Sequence, residues 1–204
     1  MKRFLLLLVF LSQLVFADDS YLIDDSLAMA RQGEFVRASN LIVDLANNGD
    51  SNAQYVLSMY FRDPNALNIP EVGEMWLMRA AENNNAKAQY DLGWRLAAGW
   101  KNDTVEDIVE MIYWFERATF NGSDDAYANL ATLYDNEHRN VLLEMEVAAN
   151  NGNAMAQFNL GWINARGLVS SEGLMQDMDV AKVWFEKSAK LGFKDAVEVL
   201  QNNF

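Results

Sequence analysis

Few side chains in this 204-residue chain have the type and spacing that catalysis or metal binding requires. Cysteine is absent, and His138 is the single histidine. It directly follows Asp135-Asn136-Glu137. Metal binding and acid–base catalysis need partners that converge in space, and neighbours along the chain do not supply that convergence. We therefore interpret His138 as a solvated residue in a turn between two helices.

The paired carboxylates are also better explained by helix ends than by chemistry. Asp124-Asp125 is typical of a helix N-cap followed by a first-turn charge. Asp177-Met178-Asp179 resembles the start of a calcium loop, but it lacks the following glycine and the distal glutamate. The nucleophile-elbow, zinc-protease, P-loop and EF-hand patterns are absent from the sequence. We therefore expect no catalytic residue, no metal site and no cofactor, in a protein that is not an enzyme.

The composition indicates a folded protein with an acidic surface. Hydrophobic residues make up 51% of the chain and the formal net charge is -13. Such a surface repels phosphate backbones and anionic lipids, so nucleic-acid binding is not expected. It favours a basic protein or peptide partner, although the charge has solubility as a second explanation.

The N-terminus has the pattern of a secretory signal peptide. Lys2 and Arg3 precede an apolar run from Phe4 to Phe16, and Val15-Phe16-Ala17 fits the small-x-small cleavage rule. The run is shorter than the roughly 20 residues of a membrane-spanning helix. We expect residues 1–17 to be removed, which leaves a periplasmic or secreted protein without stable membrane insertion. An uncleaved anchor and a buried first helix are the alternatives.

Residues 18–204 repeat a two-helix pattern, which predicts a single all-α array. Turn residues recur at intervals of about 30 to 40 residues, at Gly49, Asn84, Gly122, Gly152 and Gly192. Each is followed by an alanine four positions later and a leucine eight positions later, and these two residues share one helical face. Each turn residue is expected to adopt a left-handed C-cap. The glycine after the leucine, as in Gly93 and Gly161, is expected to let the backbone of the neighbouring helix approach.

These recurring positions, which form columns when the repeats are aligned on their turn residues, predict about five helix pairs and a closing helix. The first helix is expected to be capped at Asp24 or Asp25 and to end at Gln32. The others are expected at 34–47, 51–61, 71–83, 86–98, 106–120, 124–134, 141–150, 154–165, 177–191 and 195–202. No alternating strand pattern of useful length is present.

The columns resemble the Sel1-like repeat, a relative of the tetratricopeptide repeat. The similarity is strongest in the segment that contains Ala156, Leu160, Gly161, Gly167, Asp177, Ala181, Trp184, Phe185, Lys187, Ala189 and Gly192. It is good in the segment that contains Ala88, Leu92, Gly93, Gly99, Asp107, Trp114, Phe115, Arg117 and Ala118. Repeat two departs at Pro64, and the shortened repeat four departs at Glu144-Met145. The resemblance implies a right-handed α/α superhelix, a solenoid that acts as an adaptor for protein partners.

A stripe of large side chains is the candidate binding surface. The concave face of such a solenoid is usually lined by the first helix of each pair. The stripe two residues before and after the repeat leucine contains Tyr55, Met59, Tyr90, Trp94, Phe158 and Trp162. An aromatic groove of this kind suits an extended peptide or a partner helix. Packing between repeats is the alternative role for each of these residues.

Two functions follow as hypotheses. The first is a non-enzymatic scaffold or regulator in the cell envelope that binds a protein or peptide on its concave face. The alternative is a protein that binds or hydrolyses cell-wall material, a β-lactam or a muropeptide, by analogy with a cysteine-rich branch of the similar repeats. The disulfides of that branch are impossible here because cysteine is absent.

Overall fold

The computed structural model describes residues 19–98, 104–134, 141–167 and 176–204. The predicted signal peptide, Gly99, His138 and most of the loop after Gly167 lie outside the described residues. The described ranges form helices and contain no strand, so the predicted all-α repeat fold is confirmed. The helices are α1 (Ser20–Arg31), α2 (Phe35–Asn47), α3 (Ser51–Arg62), α4 (Pro70–Glu82), α5 (Ala86–Ala98), α6 (Val105–Phe120), α7 (Asp124–Tyr134), α8 (Val141–Asn150), α9 (Ala154–Arg166), α10 (Met178–Lys190) and α11 (Lys194–Asn203).

Most helix ends lie within one residue of the prediction, and α1 is the exception. It begins at Ser20, about one turn before the predicted cap at Asp24 or Asp25. Leu22 and Ile23 explain the earlier start, because both are half-buried and pack against the core of α2 and α3. In the described ranges, no helix is both long and apolar enough to cross a bilayer.

The chain divides into two compact units, the first ending at Arg79 and the second beginning at Ala80. In the first unit, α2 packs against both α1 and α3. Its core is formed by Ala38, Ile42, Ala46, Ala53, Val56, Leu57, Tyr60 and Trp76. The buried Ser26 hydroxyl of α1 links α2 and α3. It donates to the Ala38 carbonyl at 2.9 Å and lies 3.0 Å from the Tyr60 hydroxyl. The prediction of one array from residue 18 to 204 stays a prediction.

The second unit is built around α6. This helix contacts α5, α7, α8 and α9. Six consecutive residues, Met111 to Glu116, are buried. A helix that is apolar nearly all round is stable only inside a protein, and the neighbours of α6 supply that environment. The central position of α6 fixes the residues at its C-terminal end, which form part of the candidate site.

The turns follow the predicted design. Gly49, Gly122, Gly152 and Gly192 have φ values between 88° and 99°, and Asn84 has φ 65°. Asparagine is the residue with a Cβ that tolerates this left-handed conformation best. The next residue caps the following helix through its side chain in four of the five turns: Asp50, Asn85, Ser123 and Asn153. Phe193 occupies the fifth of these positions and cannot provide such a cap.

The glycines after the repeat leucines make room for aromatic rings. A Cβ placed on Gly93 would lie 2.6 Å from the Phe115 ring, and one on Gly161 would lie 2.4 Å from the Phe185 ring. The helices of these two pairs do pack closely, as predicted. The atoms nearest to each glycine belong to a phenylalanine side chain of the second helix, which was not predicted from the sequence.

A buried glutamine adds a hydrogen bond that the alanine and leucine columns did not reveal. In three repeats, the residue five positions after the turn donates to a carbonyl in the last turn of the preceding helix. The bonds are Gln54 to Ala46, Gln89 to Ala81 and Gln157 to Ala149, at 2.8 to 2.9 Å. Carbonyls near a helix C-terminus have no partner in their own helix. Each of these three accepts from the N–H of the turn residue, and the glutamine adds a second bond that ties the next helix to the turn.

Candidate functional site

Two clefts in the second unit contain the most prominent residues of the predicted stripe. The first, which we name the Trp94 cleft, has a volume of about 250 Å³. It is lined by Trp94, Ala97, Met111, Phe115, Asn129, Thr132 and Leu133, from α5, α6 and α7. These lining residues carry no charge, so the Trp94 cleft is an apolar depression with a few polar groups at its edge.

Trp94 is held at one end, and about half of its surface remains open to solvent. Its indole Nε1 donates to the Tyr90 hydroxyl at 2.5 Å, and the two rings meet edge to face at 6.5 Å. Tyr90 is anchored in turn against Phe115 at 5.8 Å and accepts a hydrogen bond from Asn129 at 3.3 Å. Trp94 itself is 47% exposed. A pre-oriented, exposed tryptophan costs little entropy on binding and suits an interface anchor.

The second cleft, the Trp162 cleft, has a volume of about 190 Å³ and a different chemistry. Its walls come from the end of α6, the middle of α9 and one face of α11. The lining residues are Asn84, Arg117, Phe120, Asn121, Phe158, Trp162, Asp195, Glu198, Val199, Asn202 and Asn203. Aromatic, amide and charged groups therefore face one small space.

Arg117 is the centre of a polar cluster on one wall of the Trp162 cleft. Its guanidinium donates to the Asp195 carboxylate at 2.5 Å, to the Tyr113 hydroxyl at 2.9 Å and to the Asn84 side-chain oxygen. The Tyr113 hydroxyl also donates to Asp195 at 2.8 Å. Burial raises the pKa of Tyr113 to about 12, so this hydroxyl stays protonated as a donor. The cluster fixes α11 against α6.

Aromatic side chains form the floor of the Trp162 cleft. Trp162 contacts Phe120 at 5.3 Å, Phe185 at 5.4 Å and Phe158 at 6.3 Å between ring centroids. Phe193 packs on Phe158 at 5.2 Å. Edge-to-face and tilted pairs at these distances add stability beyond burial. Phe120 is the exception in exposure, because 61% of its surface is open to solvent.

A buried ion pair lies behind this floor. Arg166 pairs with Glu116, and Tyr134 donates to the other Glu116 oxygen at 3.3 Å. Glu116 is fully buried, and desolvation raises the pKa of its carboxyl to about 7 although Arg166 opposes the shift. The Arg166 guanidinium also lies 4.9 Å from the Trp162 ring. This pair joins α6, α7 and α9 and supports the cleft from inside.

The structure separates the six predicted binding residues by exposure. Trp94 is exposed, Tyr90 and Trp162 are half-buried, and all three line or support a cleft. Phe158 is only 2% exposed and forms part of the aromatic floor, so its contacts are those of packing. Tyr55 and Met59 belong to α3 in the first unit, where both are half-buried and Met59 packs on the core. That these residues bind a partner stays a prediction.

Several cleft residues were missed from the sequence. Phe120, Arg117, Asp195 and Glu198 lie outside the stripe because they come from the second helix of a pair and from the closing helix. One signal was available in the last turn, which reads Leu191-Gly192-Phe193. Each of the other four turns has asparagine before the turn residue and a polar capping residue after it. Among the described residues, no group of three or more histidine, cysteine, aspartate or glutamate side chains is placed to hold a metal ion.

Comparison with known proteins identifies the repeat type. Residues 86–119 and 154–193 match the family model of the Sel1 repeat. Two segments of the chain are thus similar to the Sel1 repeat. They coincide with the pairs α5–α6 and α9–α10, the two segments in which the sequence resemblance is strongest. Sel1 repeat proteins generally mediate protein–protein interactions and are typically non-catalytic scaffolds.

Two solved structures match most of this chain at low similarity. A Sel1 repeat protein from Oxalobacter formigenes is 25% identical, with a TM-score of 0.44, and the similarity covers 81% of this chain and 66% of that one. A protective antigen present in uropathogenic Escherichia coli strains, which displays an SLR fold, is 21% identical with a TM-score of 0.41; 84% of this chain and 37% of that chain are covered. This chain thus spans less than two thirds of either protein. No curated protein matches the sequence.

Proposed function

We propose that this protein is a non-enzymatic scaffold or regulator of the cell envelope that binds a partner protein or peptide. The observation that carries the proposal is the pair of tryptophans at equivalent positions of two Sel1 repeats, Trp94 and Trp162, each lining its own cleft. Positions that only pack the fold are buried in both repeats, as Leu92 and Leu160 are. Trp94 is 47% exposed by contrast, and Trp162, although half-buried, lines its cleft.

Recognition by side-chain anchors suits these two clefts. Each is large enough for one or two side chains, and neither is large enough to enclose a folded partner. Partner segments that insert anchor residues into small pockets derive most of their affinity from those few contacts. An extended peptide or one face of a helix could present two such anchors.

The location of this function is part of the proposal. Lys2 and Arg3, the apolar run to Phe16 and the cleavage pattern at Ala17 support export to the periplasm or beyond. The absence of cysteine is compatible with an oxidising compartment, since packing and hydrogen bonds hold the described helices together.

A comparative pull-down tests the proposal. The purified protein and a Trp94→Ala/Phe120→Ala variant would be immobilised and exposed to envelope extract, with retained proteins quantified by mass spectrometry. Both side chains are substantially exposed, so the variant is expected to keep its helical circular dichroism spectrum. The matched control is Tyr127→Ala, which removes an aromatic that is 48% exposed and lines neither cleft.

The expected result is at least one partner that the double variant loses and the Tyr127→Ala control retains. Retention of every partner by the double variant would contradict the proposed binding surface. Binding of a labelled β-lactam or muropeptide by the purified protein, with no protein partner recovered, would instead support the cell-wall alternative.

A further inference from the structure

The Trp162 cleft has an uncompensated negative charge. Arg117 and Asp195 neutralise each other in an ion pair at 2.5 Å, and the Arg117 guanidinium also donates to Tyr113 and Asn84. Glu198 lies one turn beyond Asp195 on the same face of α11 and is exposed. Within the described residues, Glu198 forms no ion pair. The cleft therefore presents one free carboxylate and no free cation.

The same cleft also has an aromatic surface that suits a cation. Phe120 and Trp162 lie 5.3 Å apart, and most of Phe120 is open to solvent. Cations are attracted to aromatic faces within about 6 Å of the ring centre. Trp162 already has one guanidinium beside it, that of Arg166 at 4.9 Å. The exposed face of Phe120 remains for a group from outside.

From these features we infer that the Trp162 cleft accepts an arginine side chain of the partner. The guanidinium would stack on Phe120 and pair with Glu198, while side-chain oxygens of Asn202 and Asn203 accept its remaining donors. Arginine fits better than lysine because its planar, weakly hydrated group stacks on rings and presents five donors in fixed directions. A cleft of about 190 Å³ would hold roughly six water molecules, comparable to one long side chain.

The Trp94 cleft selects a different side chain. Its lining contains no charged residue, so a buried cation there would lose its hydration without a compensating partner. An aliphatic or aromatic anchor is the occupant that this surface favours. The inferred partner segment therefore combines an apolar anchor with an arginine, and the net charge of -13 would attract it over a distance. This inference rests on the proposed function.

Peptide selection followed by a double-mutant cycle tests the inference. A displayed library of random peptides would be selected on the purified protein, and the tightest peptide would be measured by fluorescence anisotropy. Replacing its arginine by glutamine is expected to weaken binding about tenfold. Glu198→Gln is expected to cause a similar loss and to abolish most of the effect of the peptide substitution. Glu146→Gln is the matched control, because Glu146 is exposed on α8 and lines neither cleft.

The outcomes separate the inference from the function on which it rests. The arginine site alone would be overturned by peptides whose binding depends on Trp94 but not on any basic residue of the peptide. Peptides that depend on Trp94 and bind the Glu198→Gln variant unchanged would have the same meaning. Failure to select any peptide whose binding depends on Trp94 or Phe120 would contradict both proposals.

Discussion

The two segments that match the Sel1 repeat share a packing scheme and differ in the surface that they expose. Gly93 and Gly161 each admit a phenylalanine ring, and Gln89 and Gln157 each donate to a carbonyl of the preceding helix. The equivalent tryptophans differ, since Trp94 is exposed and Trp162 is half-buried beside Arg166. The positions that the two repeats share thus determine how the helices pack. The residues that differ between them determine the chemistry of each cleft.

A second difference concerns one glutamate position. Glu116 is fully buried on α6, whereas Glu186, six residues before the turn in the second repeat, is exposed on α10. The same residue type is therefore part of the protein interior in one repeat and of the solvent-facing surface in the other. Burial raises the pKa of the Glu116 carboxyl.

Removing the partner of Glu116 is expected to have the largest effect. At pH 8 the Arg166→Met substitution leaves the Glu116 carboxyl buried without its cation, so the folded protein must either keep an unpaired charge or take up a proton. We expect it to lower the free energy of unfolding by about 3–5 kcal/mol. The pKa of Glu116 is about 7 in the folded protein, above its ordinary value of 4.5. Below pH 4.5 the carboxyl is therefore protonated in both the folded and the unfolded protein. Its contribution to stability therefore falls as pH rises from 4.5 to 7, and the cost of Arg166→Met should be smaller at pH 5.

Urea unfolding at pH 5 and pH 8 measures this difference. The Glu186→Gln control should alter stability little at either pH, because Glu186 is exposed. An equal cost of Arg166→Met at both pH values would show that the charge of Glu116 is not what the arginine stabilises.

The two glycines provide the next test. Gly161→Ala places a methyl group 2.4 Å from the Phe185 ring, which is itself held by Phe158 and Trp162. We expect a loss of about 1–3 kcal/mol in the free energy of unfolding, even though alanine is the better helix former. Gly93→Ala should act in the same direction in the first repeat. A stabilised protein in either case would contradict the tight packing of ring against glycine.

A single substitution should repair a defect in the second repeat. In the first repeat Asn121 donates to Gln89 at 2.9 Å, but the corresponding acceptor oxygen of Gln157 is buried without a partner in the described structure. Leu191, 54% exposed, occupies the position of Asn121 with nearly the same backbone angles. Leu191→Asn should therefore stabilise the protein by about 1 kcal/mol.

Thermal and urea unfolding of this variant would measure the gain, with Leu191→Ser as a control that removes the same side chain without the amide. If the serine variant were equally stabilised, the amide bond to Gln157 would not be the cause.

The smallest effect on stability is expected at Trp94. The side chain is exposed and its contacts are mainly with Tyr90, so Trp94→Ala should alter the free energy of unfolding by no more than about 0.5 kcal/mol. A loss of several kcal/mol, measured by urea unfolding, would show that Trp94 belongs to the fold and is not available as an anchor.

The sequence predicted the helices and turns well because their signals are local. Leu160, Gly161 and the turn at Gly192 recur at fixed spacing, and helix periodicity places them without knowledge of distant contacts. The sequence did not predict the different burial of Phe158 and Trp94, which both belong to the stripe. Burial depends on which other helix covers each face, and that is not a local property. Arg117 and Asp195 are 78 residues apart, and only the folded chain brings them together.

Isothermal titration calorimetry of the tightest selected peptide tests the central claim most directly. The claim is that exposed residues of the clefts bind the partner while equally exposed residues elsewhere do not. Trp94→Ala should weaken binding about tenfold or more, and Tyr127→Ala should leave the affinity within about twofold. Equal losses for the two variants, or a loss for Tyr127→Ala alone, would contradict the account.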